Sequence, residues 1–175
     1  MRFFITIVIL FTLNFFAKAQ ENTDSLQNVF NPESKKAFFL LNKTIIFNTA
    51  DSINPEFEVV NGKELVFKYE YRSKEYLMIS DDEFVERLFF KVLPKGNKFI
   101  YNLNNFKKSH LLYSQSCFCM DAGNYVIQKG SIVGKKVNKN TWDVKIKYTY
   151  IARNTKNLVN KTFHLKYKIA KKDDN

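Results

Sequence analysis

The sequence is poor in the residues that most often carry enzymatic chemistry. Only 2 cysteines, 2 histidines and 1 tryptophan occur among its 175 residues. It contains no HExxH helix, nucleophile elbow, P-loop or dinucleotide-binding fingerprint. Two cysteines are also too few to define a metal site by themselves. We therefore predict that the protein is not an enzyme and carries no cofactor.

Arginine is scarce throughout, and acidic residues are scarce in the C-terminal half. Residues 91–175 contain 18 basic and 4 acidic side chains, whereas residues 20–90 contain 8 and 13. Of the 28 basic residues 24 are lysines, a bias that adenine- and thymine-rich coding DNA also produces. Because recognition of phosphate or carboxylate in a fixed geometry favours the planar guanidinium, we expect any anion binding to be diffuse.

A hydrophobic run long enough to cross a membrane is missing beyond the N-terminus. Residues 1–19 begin with one arginine, continue with an apolar stretch from Phe3 to Phe16, and end in Ala17-Lys18-Ala19. This pattern predicts a signal peptide that is cleaved before Gln20. A membrane span is the alternative, but polar residues interrupt the stretch at Thr6, Thr12 and Asn14. We expect an exported protein, periplasmic or secreted, with no transmembrane span in the mature chain.

Three segments follow the predicted signal peptide. Residues 20–43 comprise a polar lead and a short helix from Pro32 to about Leu41, because Asn31 can cap this helix and proline suits its first position. Residues 44–170 form a single β domain, a length that fits one hydrophobic core. Residues 171–175 are a charged tail.

Alternation of apolar and polar residues dominates the β domain. Asn61-Gly62 is typical of a two-residue hairpin turn. The strand after this turn has an apolar face made of Leu65, Phe67, Tyr69 and Tyr71. Val66 interrupts the opposite, charged face, which indicates that part of that face is covered.

The same period of two recurs near the C-terminus. One strand has an apolar face of Trp142, Val144, Ile146, Tyr148 and Tyr150, and the last strand has one of Phe163, Leu165, Tyr167 and Ile169. About eight short strands separated by turn signals predict an all-β, mainly antiparallel fold. A β-sandwich fits best, with a closed up-and-down barrel as the runner-up.

The segment from residue 80 to residue 103 is ambiguous. Ser80 and Glu83 have the spacing of a capping box, whereas residues 94–97 are typical of a hairpin turn. We favour one helical turn that leads into a strand. The carboxylates of this turn are Asp81, Asp82, Glu83 and Glu86. We expect them to form a solvated helix start, because a catalytic pair of carboxylates needs a defined separation across a cleft.

Lysines occupy the polar face of the last two long strands. If these strands pair, Lys145 and Lys147 lie near Lys166 and Lys168, with further lysines at the adjoining turn: Lys135, Lys136 and Lys139. Such a face attracts polyanions, which for an exported protein are lipid phosphates or acidic polysaccharides of the envelope. The aromatic residues point away from these lysines, so we do not expect specific nucleic-acid binding. The alternative is a face that only maintains solubility and protects strand edges.

Both cysteines lie in the stretch SQSCFCMDAGNY, residues 114–125. Two positions apart on a regular strand, Cβ atoms are about 6.6 Å apart, whereas a disulfide needs about 3.8 Å, so a bridge requires a bend. Three interpretations remain open for Cys117 and Cys119. They form an internal bridge or packed thiols, a redox-active or intermolecular pair, or a soft-metal site with Met120 and His110.

These observations support three functional hypotheses, and no motif identifies a specific partner. The first is a non-enzymatic envelope or secreted β-sandwich module that binds through its basic C-terminal sheet. The second is a thiol-dependent redox or soft-metal-handling protein that uses Cys117 and Cys119. The third is a β-barrel that carries an apolar ligand, because inward residues among the 13 Phe and 9 Tyr of residues 20–175 are able to line a cavity.

Overall fold

The structure is a computed structural model that describes residues 30–48, 56–76, 83–102 and 105–171. Within these ranges the chain is nearly all β, as predicted, with a single 3-10 turn, η1 (Phe106–Ser109). The strands are β1 (Phe30–Asn31), β2 (Ser34–Asn48), β3 (Glu56–Arg72), β4 (Glu75–Tyr76), β5 (Val85–Val92), β6 (Lys98–Tyr101), β7 (Leu112–Ser116), β8 (Gly123–Val126), β9 (Lys129–Asn138), β10 (Thr141–Ile151) and β11 (Leu158–Ile169). No helix in the described ranges is long and apolar enough to cross a membrane.

Nine strands form one sheet in the order β6-β9-β10-β11-β2-β3-β5-β7-β8. Neighbouring strands are antiparallel except β11 and β2, which run parallel. These two strands share only two register pairs, Lys168 with Phe38 and Ile169 with Phe39. The edge strands β6 and β8 do not pair, so the sheet is not closed into a barrel and the runner-up prediction is wrong.

The sheet folds over so that its two halves face each other across one core. Phe67 of β3 contacts Trp142 of β10 and Tyr167 of β11, with ring centroids 6.3 and 5.0 Å apart. Tyr113 of β7 lies 5.9 Å from Tyr148 of β10. Two layers of one continuous sheet thus enclose the core. The apolar faces predicted for β3, β10 and β11 are confirmed, because their residues belong to this core or pack against it.

The predicted helix from Pro32 to Leu41 is wrong, because most of this segment belongs to strand β2. β2 pairs with β3 along its length, from Ser34 opposite Arg72 to Asn48 opposite Glu56. A proline and a cap influence only the first turn of a helix, so the long ladder with β3 outweighs that local preference. The sheet therefore begins about ten residues before the predicted start of the β domain.

The predicted hairpin turn at Asn61-Gly62 is also wrong. β3 continues through both residues, which lie at a bulge opposite Lys43, and Asn42 beside it has a φ of 54°. Glycine is needed at position 62 because a Cβ there would lie 2.7 Å from Cβ of Thr44. The connection between β2 and β3 falls instead on residues 49–55, outside the described ranges.

The part of the β2–β3 hairpin beyond this bulge bends across the outer face of β3 and β5. Phe57 packs on Phe89 with ring centroids 4.6 Å apart, and Ile45 and Leu112 complete a second, smaller core. Val66 lies beneath this cover and is 0% exposed, so the prediction that the outer face is covered here is confirmed.

The chain turns at residues 94–97 without forming a hairpin. β5 pairs with β3 and β7, whereas β6 crosses to the other layer and pairs with β9. Glu83 is not helical, and residues 80–82 of the predicted helical turn lie outside the described residues. The predicted signal peptide, the polar lead up to residue 29 and residues 172–175 of the predicted tail lie outside them too.

Candidate functional site

Cys117 and Cys119 are joined by a disulfide in the loop between β7 and β8, residues 117–122, which we call the disulfide loop. Their Cα atoms are 5.2 Å apart, closer than the roughly 6.6 Å of a regular strand. The backbone therefore bends at the cysteines, as the geometry of a bridge between such near neighbours requires. No free cysteine remains in the described ranges.

The two sulfur atoms share one hydrogen-bond donor and differ in exposure. Gln115 Nε2 lies 3.3 Å from the Sγ atom of Cys117 and 3.3 Å from that of Cys119. Cys119 is exposed, whereas Cys117 is half-buried. The apolar side chains beside them point into solvent, with Phe118 84% and Met120 71% exposed.

Besides the disulfide bridge, hydrogen bonds hold the disulfide loop against the connection between β10 and β11. Asp121 Oδ1 accepts from the backbone N–H groups of Asn154 and Thr155 at 3.0 Å, and Oδ2 accepts from the Thr155 hydroxyl at 2.7 Å. The Thr155 side chain is the main reason that the pKa of Asp121 is lowered. The Tyr125 hydroxyl also donates to the Asp121 carbonyl at 2.8 Å.

Inward from the loop, a polar chain links the sulfur atoms to the core. Gln115 Oε1 lies 2.7 Å from the Tyr113 hydroxyl, which is 3.1 Å from Glu86 Oε1. Lys161 of β11 donates to the same carboxylate oxygen at 2.8 Å, so Glu86 connects the two layers of the sheet. Burial, reinforced by the charge of Glu86, raises the pKa of Tyr113.

The described part of the predicted acidic cluster, Glu83 and Glu86, is not a solvated helix start. Glu86 lies on strand β5 and is buried, whereas Glu83 forms an exposed ion pair with Arg72 at 2.9 Å. Asp81 and Asp82 lie outside the described residues. Glu86 shows why the prediction failed, since its side chain points into the core from a strand rather than into water from a helix.

The structure does not bring His110 to the cysteines. His110 precedes β7 and the cysteines follow it, so the whole strand separates them. Its ring stacks on Phe47 with centroids 5.4 Å apart, and its buried Nδ1 has no hydrogen-bond partner in the part of the chain that the structure describes. Burial, and secondarily the charge of Lys91, lowers the pKa of His110. Among the described residues no group of three or more His, Cys, Asp or Glu side chains is arranged to hold a metal ion.

The second candidate site is the outer surface of β6, β9, β10 and β11, which we call the lysine face. β10 and β11 pair as expected, with Lys145 opposite His164 and Lys147 opposite Thr162. Register pairing brings seven exposed lysines to this surface: Lys98, Lys129, Lys135, Lys145, Lys147, Lys166 and Lys168. Of the other lysines expected nearby, Lys136 lies opposite Trp142 on the inner side of β9, and Lys139 lies in the turn to β10.

A single carboxylate, Asp143, lies on the described part of the lysine face. It is opposite Lys135 on one side and Lys166 on the other, and its Oδ1 is 2.7 Å from Nε2 of His164. Two apolar residues, Ile100 and Val133, are paired in the same surface and are 59% and 44% exposed. The face is therefore strongly cationic with a small apolar patch on its β6 side.

Several of these contacts have no counterpart in the sequence analysis, namely those made by Gln115, Asp121 and the Glu86–Lys161 pair. Glu86 alone carried a local signal, because it shares the inner face of β5 with Leu88 and Phe90.

Comparison of the chain with protein-family models, with curated proteins and with solved structures gave no match.

Proposed function

We propose that the protein is an exported, non-enzymatic binding module whose lysine face attaches to a lipid surface rich in phosphate groups. The observation that carries this proposal is the charge of the face, seven exposed lysines against the single carboxylate of Asp143. The predicted signal peptide supports the exported location, where envelope lipids supply such phosphates.

The composition of the lysine face favours recognition by charge rather than by shape. Strands lie about 4.8 Å apart and alternate residues about 6.8 Å, so the ammonium groups spread over a broad surface. Lysine is a flexible point charge, and the face contains no arginine to fix a bidentate contact. Each lysine near an anionic leaflet contributes about 1 kcal/mol at moderate ionic strength.

The apolar pair on the β6 side of the face argues for a lipid surface over an acidic polysaccharide. Ile100 and Val133 stand side by side among the lysines and remain largely exposed. Insertion of these side chains between lipid head groups removes apolar area from water, which a hydrated polysaccharide does not offer.

Vesicle sedimentation tests this proposal. The purified chain is expected to sediment with vesicles that contain anionic phosphatidylglycerol, to remain in solution with neutral phosphatidylcholine, and to detach as salt rises. Heparin provides the polysaccharide arm of the experiment. Binding to heparin with no binding to anionic vesicles would contradict the lipid assignment.

Matched variants separate the lysine face from net charge. Replacement of Lys145, Lys147, Lys166 and Lys168 with glutamine is expected to weaken vesicle binding by roughly a hundredfold to a thousandfold, about 1 kcal/mol per lysine. The control removes four lysines elsewhere: Lys63, Lys107 and Lys108 to glutamine and Lys156 to asparagine, which tolerates the φ of 59° at that position. Equal loss in both variants would show that the face has no special role.

The exported location has its own test. N-terminal sequencing of the protein recovered from an exporting host is expected to begin at Gln20. Recovery of the uncleaved chain in the membrane fraction would contradict this part of the proposal while leaving the lysine face to be tested by sedimentation.

A further inference from the structure

The disulfide loop combines three features that a purely structural bridge does not need. Cys119 is an exposed residue, whereas Cys117 is half-buried. Both sulfurs lie within 3.3 Å of the amide nitrogen of Gln115. The hydrogen bonds of Asp121 anchor the loop in addition to the bridge. Together these features describe a hydrogen-bonded disulfide with one exposed cysteine, in a loop that has further anchors.

We propose that Cys117–Cys119 is a site of thiol–disulfide exchange with a dithiol. A thiolate of the dithiol attacks Sγ of Cys119, the bond to Cys117 breaks, and Cys117 Sγ leaves with the electron pair as a thiolate. The mixed disulfide joins Cys119 Sγ to the first sulfur of the dithiol. The second thiolate of the dithiol then attacks this first sulfur, and Cys119 Sγ leaves as a thiolate. The chain ends as a dithiol that takes up two protons, and the partner ends as a disulfide.

The difference in exposure decides which sulfur is attacked. A thiolate approaches along the axis of the sulfur–sulfur bond, so the attacked atom must be open to solvent and the leaving atom lies behind it. We assign the attack to Sγ of Cys119 because Cys119 is the exposed residue of the pair, and the leaving sulfur to the half-buried Cys117, next to β7. The Gln115 N–H group, held by the contact of its side-chain oxygen with Tyr113, is in place to stabilise the departing thiolate.

The loop keeps its anchors when the bridge opens. Asp121 remains bonded to Asn154 and Thr155, and the Tyr125 hydroxyl remains bonded to the Asp121 carbonyl. Residues before the cysteines stay in the β7 ladder with β5 and β8. The two thiols therefore stay near each other, which is the condition for the bond to form again.

Reduction of the folded protein by dithiothreitol tests the proposal. Free thiols are counted by maleimide mass labelling after increasing times. We expect a rate proportional to dithiothreitol concentration and within roughly tenfold of the rate for the same chain in denaturant, because the bond is accessible without unfolding. A rate independent of dithiothreitol, set instead by unfolding, would overturn the proposal.

Single-cysteine variants test the assignment of the two sulfurs. The Cys119 thiol of Cys117→Ser is expected to react with 5,5′-dithiobis(2-nitrobenzoic acid) roughly tenfold faster than the Cys117 thiol of Cys119→Ser. Equal or reversed rates would overturn the choice of Cys119 as the attacked atom. These rates do not involve the lysine face, so their outcome is independent of vesicle binding.

Gln115 is a positioning residue, and its variant separates this role from structural damage. Gln115→Leu is expected to slow reduction by dithiothreitol about fivefold, the value of one hydrogen bond to the leaving thiolate. Introduced into Cys117→Ser and labelled at a pH above the thiol pKa, the same change is expected not to slow the labelling of Cys119, because no thiolate leaves from position 117 and loss of the Gln115 contact to Cys119 Sγ no longer lowers the thiolate fraction. Equal slowing of both reactions would remove Gln115 from the mechanism.

Discussion

Replacement of Lys161 with methionine is expected to destabilise the fold more than replacement of its partner Glu86 with glutamine. The Glu86 side chain is 9% exposed, and that of Lys161 is 31% exposed. In Lys161→Met the carboxylate stays buried with Tyr113 as its remaining donor. Removal of one partner from a fully buried pair costs 3–5 kcal/mol. Because water reaches the Lys161 side of this pair, we expect about 2 kcal/mol.

The reverse change leaves no buried charge. In Glu86→Gln the amide oxygen still accepts from Tyr113, and the Lys161 ammonium can turn toward water. We therefore expect a loss of about 1 kcal/mol or less. The double variant also lacks a buried charge, so its stability is expected to lie within about 1 kcal/mol of Glu86→Gln, and the two changes are expected not to add.

Urea unfolding monitored by the fluorescence of Trp142, the single tryptophan of the chain, measures these differences. At this chain length about 2 kcal/mol corresponds to a fall in Tm of about 4–8 °C. Lys147→Met makes the same change on the exposed lysine face and is expected to stay within about 0.5 kcal/mol of the wild type. The reasoning is refuted if Lys161→Met is no worse than Lys147→Met, or if Glu86→Gln is the more damaging change.

Three further predictions follow from buried or bonded side chains. Tyr167→Phe is expected to keep or raise stability, by up to about 1 kcal/mol, because the buried Tyr167 hydroxyl has no hydrogen-bond partner among the described residues; a clear loss in urea unfolding would contradict this. Burial, and secondarily Lys91, lowers the pKa of His110 in the folded state below its ordinary 6.5, although Glu64 opposes this shift. His110 therefore binds a proton more readily in the unfolded chain than in the folded chain. The contribution of His110 to the free energy of unfolding is complete above pH 6.5 and declines as the pH falls. His110→Asn is expected to flatten this decline between about pH 7 and 5. An identical pH dependence in the variant would exclude His110 as its source. Replacement of both Cys117 and Cys119 with serine is expected to cost only about 1.6 kcal/mol, the chain-entropy value for a loop of three residues, and a loss well above 3 kcal/mol would make the bridge a structural staple.

The sequence predicted those strands whose faces are set by residues within the segment itself. The alternation in β10 and β11 located their inner faces and their pairing, because a short connection makes neighbours of them. Elements that depend on distant partners were not predictable in this way. β2 has the local signals of a helix start at Asn31 and Pro32, yet its structure is decided by a ladder with β3.

In the candidate sites too, features set by local sequence were predictable and contacts between distant residues were not. The bend at Cys117 and Cys119 follows from bond geometry under one of the three interpretations, the internal bridge, and the lysines follow from alternation. The anchors of the disulfide loop do not, because Asp121 meets Asn154 and Thr155 across 33 and 34 positions of sequence. Only a knowledge of which strands lie side by side brings such residues together.

The parallel junction between β11 and β2 also determines when the fold is complete. β2 precedes β11 in the chain by more than a hundred residues, and their shared register pairs are Phe38–Lys168 and Phe39–Ile169. Before β11 is added, one edge of β2 has no neighbour and the Phe39 side of the core is open, because the Tyr167 ring that packs on Phe67 is missing. The other strands then form two separate parts with open edges, and β11 joins them into one sheet.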